Sequence, residues 1–177
     1  GNFLIIINIL IGISIIYISF GYIKKTNFFI SKKINYLTIY QTTFTLSAFF
    51  ILIAGFIFSD FSLISVYQNS HASKPLFYKI VGTWGNHEGS LLLWINVMVI
   101  FSNLFLILNK DTSKKYLIST LIFQNILILG FFLFLFLNSN PFKLIIPTPL
   151  EGLGLNPILQ DPALAIHPPL LYVGFVG

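Results

Sequence analysis

The sequence predicts an all-α fold, a polytopic membrane helix bundle with long irregular loops on its outer (periplasmic or intermembrane-space) face. Apolar residues make up 56% of the 177 residues and charged residues only 8%, whereas roughly a quarter of the residues in an average soluble domain are charged. Four apolar runs are also long enough to cross a hydrocarbon layer about 30 Å thick, which takes a helix of about 20 residues. Together these observations argue against an ordinary soluble domain.

The predicted membrane spans cover residues 3–23, 36–58, 91–109 and 116–138. A fifth span begins at Pro168 and reaches Gly177. The first span is a retained helix rather than a cleaved signal peptide, because its lysines follow the apolar run instead of preceding it. We treat residues 1–177 as a single transmembrane domain. We expect it to be incomplete at both ends, because residue 1 is Gly rather than Met and the fifth span is short.

The four complete spans contain none of the fifteen charged residues. An ion-coupled carrier or a proton pump normally has titratable groups there, so this composition argues against transport. We expect the polar side chains within the spans to form hydrogen bonds between helices. The sequence has no cysteine, which excludes thiol redox chemistry and a C-x-x-C-H haem attachment site within it.

The lysines predict which side of the membrane each loop faces. Short connections that are rich in lysine face the cytoplasm or matrix. The connection between spans one and two contains Lys24, Lys25, Lys32 and Lys33, and the connection between spans three and four contains Lys110, Lys114 and Lys115. The two long connections therefore face the outer side, and they hold all three histidines, His71, His87 and His167.

The second long connection is rich in proline. Seven of the eight prolines fall in residues 141–169, "PFKLIIPTPLEGLGLNPILQDPALAIHPP". Its apolar residues argue against disorder, since disordered segments are polar. We expect this connection to pack over the outer end of the bundle as a lid or platform.

The stretch "WGNHEGSLLLW", residues 84–94, precedes and enters the third span. Asn86 or Ser90 can cap the helix, and Glu88 then lies near the positive end of its dipole. His87 is placed at the boundary between water and membrane, where tryptophans such as Trp84 are common. Two interpretations stay open from this motif alone: a functional site, or an interfacial anchor in which His87 is only a polar surface residue.

The stretch "LQDPALAIHPPLLYVGFVG" precedes and enters the fifth span. Pro168 favours an extended backbone at His167, so we expect His167 to stand just before the helix. A neutral imidazole in that position can ligate a haem iron if its other ring nitrogen is hydrogen-bonded. Asp161 or Glu88 could supply that bond. The alternative is a helix-entry turn in which His167 bonds only to the loop.

Taken together, "WGNHEGSLLLW" and "LNPILQDPALAIHPPLLYVGFVG" resemble the N-terminal portion of the CcmF-type cytochrome c haem lyases, polytopic proteins of cytochrome c maturation. The resemblance implies that haem is received from a haem chaperone and attached covalently to apocytochrome c on the outer face. It implies that His167 is an axial ligand of the haem iron. It also makes Trp84, His87 and Glu88 candidates for cofactor binding.

The resemblance further implies that part of the haem site lies elsewhere. The tryptophan-rich haem segment of the family and its remaining histidines are expected after Gly177 or on a second polypeptide. The expected partners are therefore apocytochrome c, the haem chaperone, other maturation proteins, this missing part and membrane lipid. No nucleic acid is expected, because the lysines are distributed by loop rather than on one surface.

The main alternative function is a membrane subunit of a respiratory-chain complex, which would share the high apolarity. The spans without charge and the proline-rich loop argue against it. A small-molecule permease is a third interpretation, disfavoured because paired interruptions in two halves are missing. The abundance of Ile, Phe, Asn and Lys favours the mitochondrial inner membrane over a bacterial inner membrane. The sequence leaves open whether this part of a haem lyase is itself catalytic, and no catalytic residue is assigned.

Overall fold

The structure is a computed structural model that describes residues 1–24, 28–109 and 111–177. Within these residues all regular structure is helical apart from one isolated β-bridge between Leu63 and Leu144, which confirms the all-α prediction. Lys25 and Lys110, which were used to predict the sides of the membrane, lie outside the described residues. In chain order the helices are α1 (Asn2–Lys24), α2 (Phe28–Ile57), α3 (Ile64–Asn69), α4 (Leu76–Gly82), α5 (His87–Leu108), α6 (Lys114–Leu137), a 3₁₀ turn (Pro157–Gln160) and α7 (Pro162–Val176).

Four of the described helices, α1, α2, α5 and α6, are long and apolar enough to cross a membrane. The shortest of them, α5, has 22 residues, which at 1.5 Å per residue reach about 33 Å. Large apolar side chains are exposed on their outer surfaces, among them Phe3, Tyr17, Phe50 and Phe123. Helices that are apolar outside as well as inside need lipid around them, so the chain is an integral membrane protein.

The four long helices form a closed bundle. α1 packs against α2 and α6, and α5 packs against the same two helices. α7 packs against α5 and runs parallel to it, because Trp84 lies against Ala165 and Trp94 lies against Tyr172 further along both segments. The ends of α1 and α5 and the starts of α2 and α6 lie at one end of the bundle, and the two long connections lie at the other.

Some of the polar side chains within the spans bond between helices as predicted. The hydroxyl of Thr45 on α2 donates to Asn8 Oδ1 on α1 at 3.1 Å. Asn103 on α5 donates to the carbonyl of Thr38 on α2 at 3.1 Å and also to the Thr42 hydroxyl. Other hydroxyl and amide groups donate instead to a carbonyl one turn earlier on their own helix; these are on Thr38, Thr43, Ser47, Asn96 and Asn125.

The two long connections pack against each other at the end of the bundle, and we call residues 58–86 and 138–161 the loop layer. Backbone hydrogen bonds join them at both ends of this contact: Ile64 donates to Lys143 at 2.9 Å and Leu153 donates to Tyr67 at 2.8 Å. The Ser65 hydroxyl, which is buried, donates to the Pro141 carbonyl at 2.7 Å. The proline-rich connection therefore lies over the bundle end, as predicted, and it does so by bonding to the first long connection.

Glu151 fixes the turn of the proline-rich connection to the segment that follows α3. Its Oε1 accepts a hydrogen bond from the backbone N–H of Ala72 at 2.9 Å and lies 3.8 Å from His71 Nε2. The Ala72 N–H, helped by the N–H of Gly152 and by the positive charge of nearby groups, lowers the pKa of the Glu151 carboxyl from its usual value of 4.5. The charged carboxylate is thus the form that holds this contact.

The lowered pKa predicts an acid-sensitive contact in the loop layer. Because the folded-state pKa of Glu151 lies below the unfolded value, the stability it contributes is present at neutral pH and is lost as the pH falls through the folded pKa. We expect the Ala72 amide resonance in NMR spectra to titrate with a midpoint below 4.5. Glu151→Gln should abolish that titration. A midpoint at or above 4.5, or the same titration in the variant, would contradict the contact.

Candidate functional site

The turn between α4 and α5 is built around the side chain of Asn86. Its Oδ1 accepts a hydrogen bond from the backbone N–H of Gly89 at 2.7 Å, and its Nδ2 donates to the carbonyl of Gly82 at 2.7 Å. Asn86 is thus the N-cap of α5, which confirms one of the two predicted caps. The same side chain also holds the end of α4, so it fixes the angle between the two helices.

Gly89 is required by the close approach of the preceding turn. A Cβ atom at this position would lie 1.6 Å from the carbonyl oxygen of Thr83, far inside van der Waals contact. Only glycine lets the backbone of the first turn of α5 pass so close to the turn before it. The glycine in "HEGS" therefore has a steric reason that does not depend on any ligand.

Trp84 joins this turn to α7. Its indole N–H donates to the backbone carbonyl of Ala165 at 2.9 Å, and its ring packs on the buried cluster that contains Val81 and Leu155. In a regular helix that carbonyl would accept from the N–H of the residue four positions later, which is Pro169 and has none. The indole therefore bonds to the carbonyl that the proline leaves free.

The helix α7 begins earlier than the sequence analysis predicted. Asp161 is its N-cap, with Oδ1 accepting from the N–H of Ala163 at 2.8 Å, and Pro162 is its first residue. The prediction that His167 stands in an extended segment before the helix is therefore wrong, since His167 lies within α7, as does Pro168. The Asp-Pro pair, a cap followed by proline at the first helical position, is the sequence signal that marks the true start.

His167 lies on the face of α7 that points away from α5. Ala165 and Tyr172, seven residues apart, both face the rest of the protein. His167 is two positions after Ala165, which is about 200° around the helix, and its side chain is exposed. We call this outward surface the histidine face; its other members are exposed, and they are Leu164, Leu170, Leu171 and Gly174.

The expected bond between His167 and a carboxylate does not form. No hydrogen bond in the described ranges joins His167 to Asp161, which caps α7, or to Glu88. Glu88 lies half-buried in the first turn of α5, near the positive end of the helix dipole as predicted. His87 is exposed beside it, and its ring meets the edge of Phe134 on α6 at a centroid distance of 6.2 Å. The two histidines therefore lie at the same end of the bundle but on different surfaces.

Trp94 has a structural role that the sequence analysis missed. Its ring stacks on Tyr172 of α7 at 5.6 Å with an angle of 11° between the planes, and it also meets Phe131 of α6 at 4.9 Å. Aromatic pairs of this kind add about 0.5–1.5 kcal/mol to ordinary apolar burial. Trp94 therefore holds α7 against both α5 and α6.

Histidine and carboxylate side chains do not gather into a cage for a bare metal ion in the described residues. No group of three or more His, Cys, Asp or Glu is found there that could hold one. His71 lies in the loop layer, where Nδ1 is 2.8 Å from the Ser73 hydroxyl. The exposed imidazole of His167 instead lies alone on an apolar face of α7 within the described residues.

Comparison with known proteins places the chain in one family. The family model described as Cytochrome C assembly protein matches residues 84–177, which begin at Trp84 and include both motifs. The cytochrome c-type biogenesis protein CycK of Rhizobium meliloti (strain 1021) is 47% identical over 130 residues, covering 73% of this chain and 19% of that protein. CcmF of Escherichia coli (strain K12) is 41% identical over 131 residues, covering 73% of this chain and 20% of CcmF.

A solved structure has the same fold. The chain titled "Cytochrome c Heme Lyase CcmF" matches with a TM-score of 0.84 at 23% identity, covering 99% of this chain and 27% of that chain. The chain therefore spans about a fifth of the length of the curated relatives it matches, and about a quarter of this solved chain.

The Trp84 bond predicts a specific rescue. Trp84→Phe keeps an aromatic ring but leaves the buried Ala165 carbonyl without a partner, at a cost of about 1–3 kcal/mol, and should speed amide hydrogen exchange throughout α7. Adding Pro169→Ala supplies the missing N–H and should restore protection. Pro168→Ala is the matched control, because its N–H faces the Leu164 carbonyl instead. Equal recovery in both double variants would contradict this role of the indole.

The steric role of Gly89 predicts that a glycine-to-alanine substitution has a different effect on stability at this position than at a position with open space. Gly89→Ala should destabilise the protein by about 1–3 kcal/mol because the new methyl group overlaps the Thr83 carbonyl. Gly130→Ala on α6 is the control, since a Cβ there meets no heavy atom within 4 Å, and alanine favours the helix. Thermal unfolding in detergent measures both. Similar melting temperatures for the two variants would show that the turn has room to move.

Proposed function

The chain belongs to the cytochrome c assembly protein family, and from that premise we propose that it takes part in cytochrome c maturation by binding haem at the histidine face of α7. Haem held there would be attached covalently to apocytochrome c at the end of the bundle that carries the loop layer. The observation that carries the proposal is the position of His167, an exposed imidazole centred on an apolar helix surface.

The residues present fit a haem group. A porphyrin needs an apolar surface for its ring and a neutral imidazole for its iron. On the histidine face, Leu170 is 66% exposed and Leu171 is 42% exposed, so a flat apolar ligand can cover them. Gly174, one helical turn further along, has open space beside it. No hydrogen bond of the described residues engages the His167 ring, which leaves a ring nitrogen available as a ligand.

Each group in the site has a separate role in this proposal. Bound haem would supply the vinyl groups that react with the cysteine thiols of apocytochrome c. His167 would hold the iron, and the leucines of the histidine face would exclude water from one side. Trp84 is a positioning residue, because its hydrogen bond to Ala165 sets the rotation of α7. His87 and Glu88 stand at the same end of the bundle, where an unfolded substrate or haem would approach.

The remaining parts of the site come from elsewhere. Because the chain spans about a fifth of its curated relatives, we propose that the other haem ligands and the tryptophan-rich segment lie on a further part of the protein or on a second polypeptide. The haem chaperone and other maturation proteins are the remaining proposed partners. The loop layer faces the periplasm or the intermembrane space in this proposal. The relatives named above are bacterial, and a mitochondrial inner membrane stays a prediction from composition.

The alternative function, a membrane subunit of a respiratory-chain complex, receives no support from the comparisons. Both relatives described above are cytochrome c biogenesis proteins by their names.

The proposal predicts a specific loss in a host that carries the complete maturation system. His167→Ala should lower the yield of holocytochrome c by at least about tenfold, since even an outer-shell partner of a metal ligand is worth that much. The amount of membrane protein should stay unchanged, and added imidazole should restore part of the haem absorbance of the purified protein. Glu88→Gln should give a milder loss. His71→Ala is the control and should have no effect.

Normal yield and an unaltered haem spectrum in His167→Ala would exclude the ligand role. A fall in the amount of protein that matches the fall in yield would instead assign His167 a purely structural part in α7.

A further inference from the structure

The apolar core of the bundle is divided into two parts by polar residues. One buried cluster, which includes Ile5, Ala48 and Ile128, lies toward the loop layer, and a second, which includes Ile15, Ile34 and Leu121, lies toward the opposite end of the bundle. Between the two clusters several buried residues carry an amide or a hydroxyl. We give the name polar layer to four of them: Asn8 on α1, Gln41 and Thr45 on α2, and Asn125 on α6.

Part of the polar layer is satisfied by the protein itself. Asn8 donates to the Leu4 carbonyl at 2.9 Å and accepts from the Thr45 hydroxyl at 3.1 Å. Asn125 Nδ2 donates to the Leu121 carbonyl at 3.1 Å. These bonds leave Asn125 Oδ1, which is buried, without a partner among the described residues.

Gln41 differs from its neighbours because its whole amide is unpaired. The residue is fully buried, at 0% exposure, and neither Oε1 nor Nε2 has a hydrogen-bond partner in the described part of the chain. An amide without partners is costly in any apolar interior. The cost is sharpest at the centre of a membrane bundle, where lipid supplies no hydrogen bonds.

The space beside the Gln41 amide is created by Gly12 of α1. A Cβ atom on Gly12 would lie 3.5 Å from Gln41 Nε2 and 3.8 Å from Leu129 Cδ1. Leu129 is one helical turn from Asn125 on α6, so the side chains of α2 and α6 approach α1 from two sides at this level. The missing side chain of Gly12 leaves room next to a buried donor that has no acceptor.

We propose that the polar layer binds internal water, with the Gln41 amide as its main contact, Asn125 Oδ1 as a second acceptor and Gly12 as the residue that leaves it room. Water donates to the two amide oxygens and accepts from the Gln41 N–H groups, so one kind of molecule satisfies both. A metal cation is disfavoured, because the four long helices carry no acid in this layer and an unbalanced charge at this depth is expensive. This site is separate from the haem-binding proposal and does not depend on it.

Two glycine substitutions on the same helix test the proposal in the full chain reconstituted in lipid bilayers. Gly12→Ala puts a methyl group against the Gln41 amide, whereas Gly21→Ala puts one where no heavy atom lies within 4 Å. Replacing glycine by alanine raises the helix propensity equally at both positions. A difference in stability between the two variants therefore reports the space beside Gln41. The direct measurement is water-to-protein magnetisation transfer, in solid-state NMR, to the side-chain nitrogens of ¹⁵N-labelled glutamine.

We expect rapid transfer from water to the Gln41 side chain in the unaltered protein and in Gly21→Ala, and a marked loss in Gly12→Ala. The melting temperature of Gly12→Ala should lie below that of Gly21→Ala by about 2–4 °C. In a Gln41→Leu background, which has no amide to satisfy, that difference should disappear.

Absence of transfer to Gln41 in the unaltered protein would overturn the proposal and would mean that Gln41 is paired by protein groups alone. Unchanged transfer together with equal melting temperatures in Gly12→Ala and Gly21→Ala would also overturn it. Should Gly12→Ala fail to fold, the transfer measured in the unaltered protein and in Gly21→Ala still decides the question.

Discussion

One hydrogen bond, from the indole N–H of Trp84 to the backbone carbonyl of Ala165, ties α7 to the turn before α5 and sets the rotation of the helix. A proline inside a helix removes the donor for the carbonyl four residues earlier, which usually weakens or kinks the helix. Here a side chain 81 positions earlier in the sequence supplies the missing donor. Pro169 is therefore compatible with the continuous helix α7, and the rotation of that helix is set by the turn before α5.

The segment "WGNHEGS" consists of residues that shape the turn and residues that the turn displays. Trp84, Asn86 and Gly89 act on the backbone, through the α7 bond, the helix cap and the close approach to Thr83. His87 and Glu88 make no hydrogen bond through their side chains in the described ranges. Three residues of this motif thus stabilise the local backbone. The side chains of His87 and Glu88, at the centre of the motif, are left available for a ligand.

Lipid around the bundle imposes the second constraint on this protein. Irregular backbone is tolerated at the end of the bundle because the two long connections bond to each other, as in the pairs Ile64 with Lys143 and Leu153 with Tyr67. Within the bundle, the Thr45 hydroxyl bonds to Asn8, whereas the buried Gln41 amide has no partner among the residues that the structure describes. The contrast between these two sites on adjacent turns of α2 is what makes the polar layer a place where a small polar molecule is expected.

Residue order and composition were enough to predict the fold class, the apolar spans, Asn86 as one of two candidate caps, and that both histidines lie at the same end of the bundle. These features follow from hydropathy and from short-range capping preferences, which act within a few residues and can be read along the chain. Packing between distant segments decides that His167 lies on the outward face of α7, that Trp84 bonds to α7, and that Trp94 packs between two helices. Those outcomes depend on contacts between segments far apart in the chain, which short-range preferences do not encode.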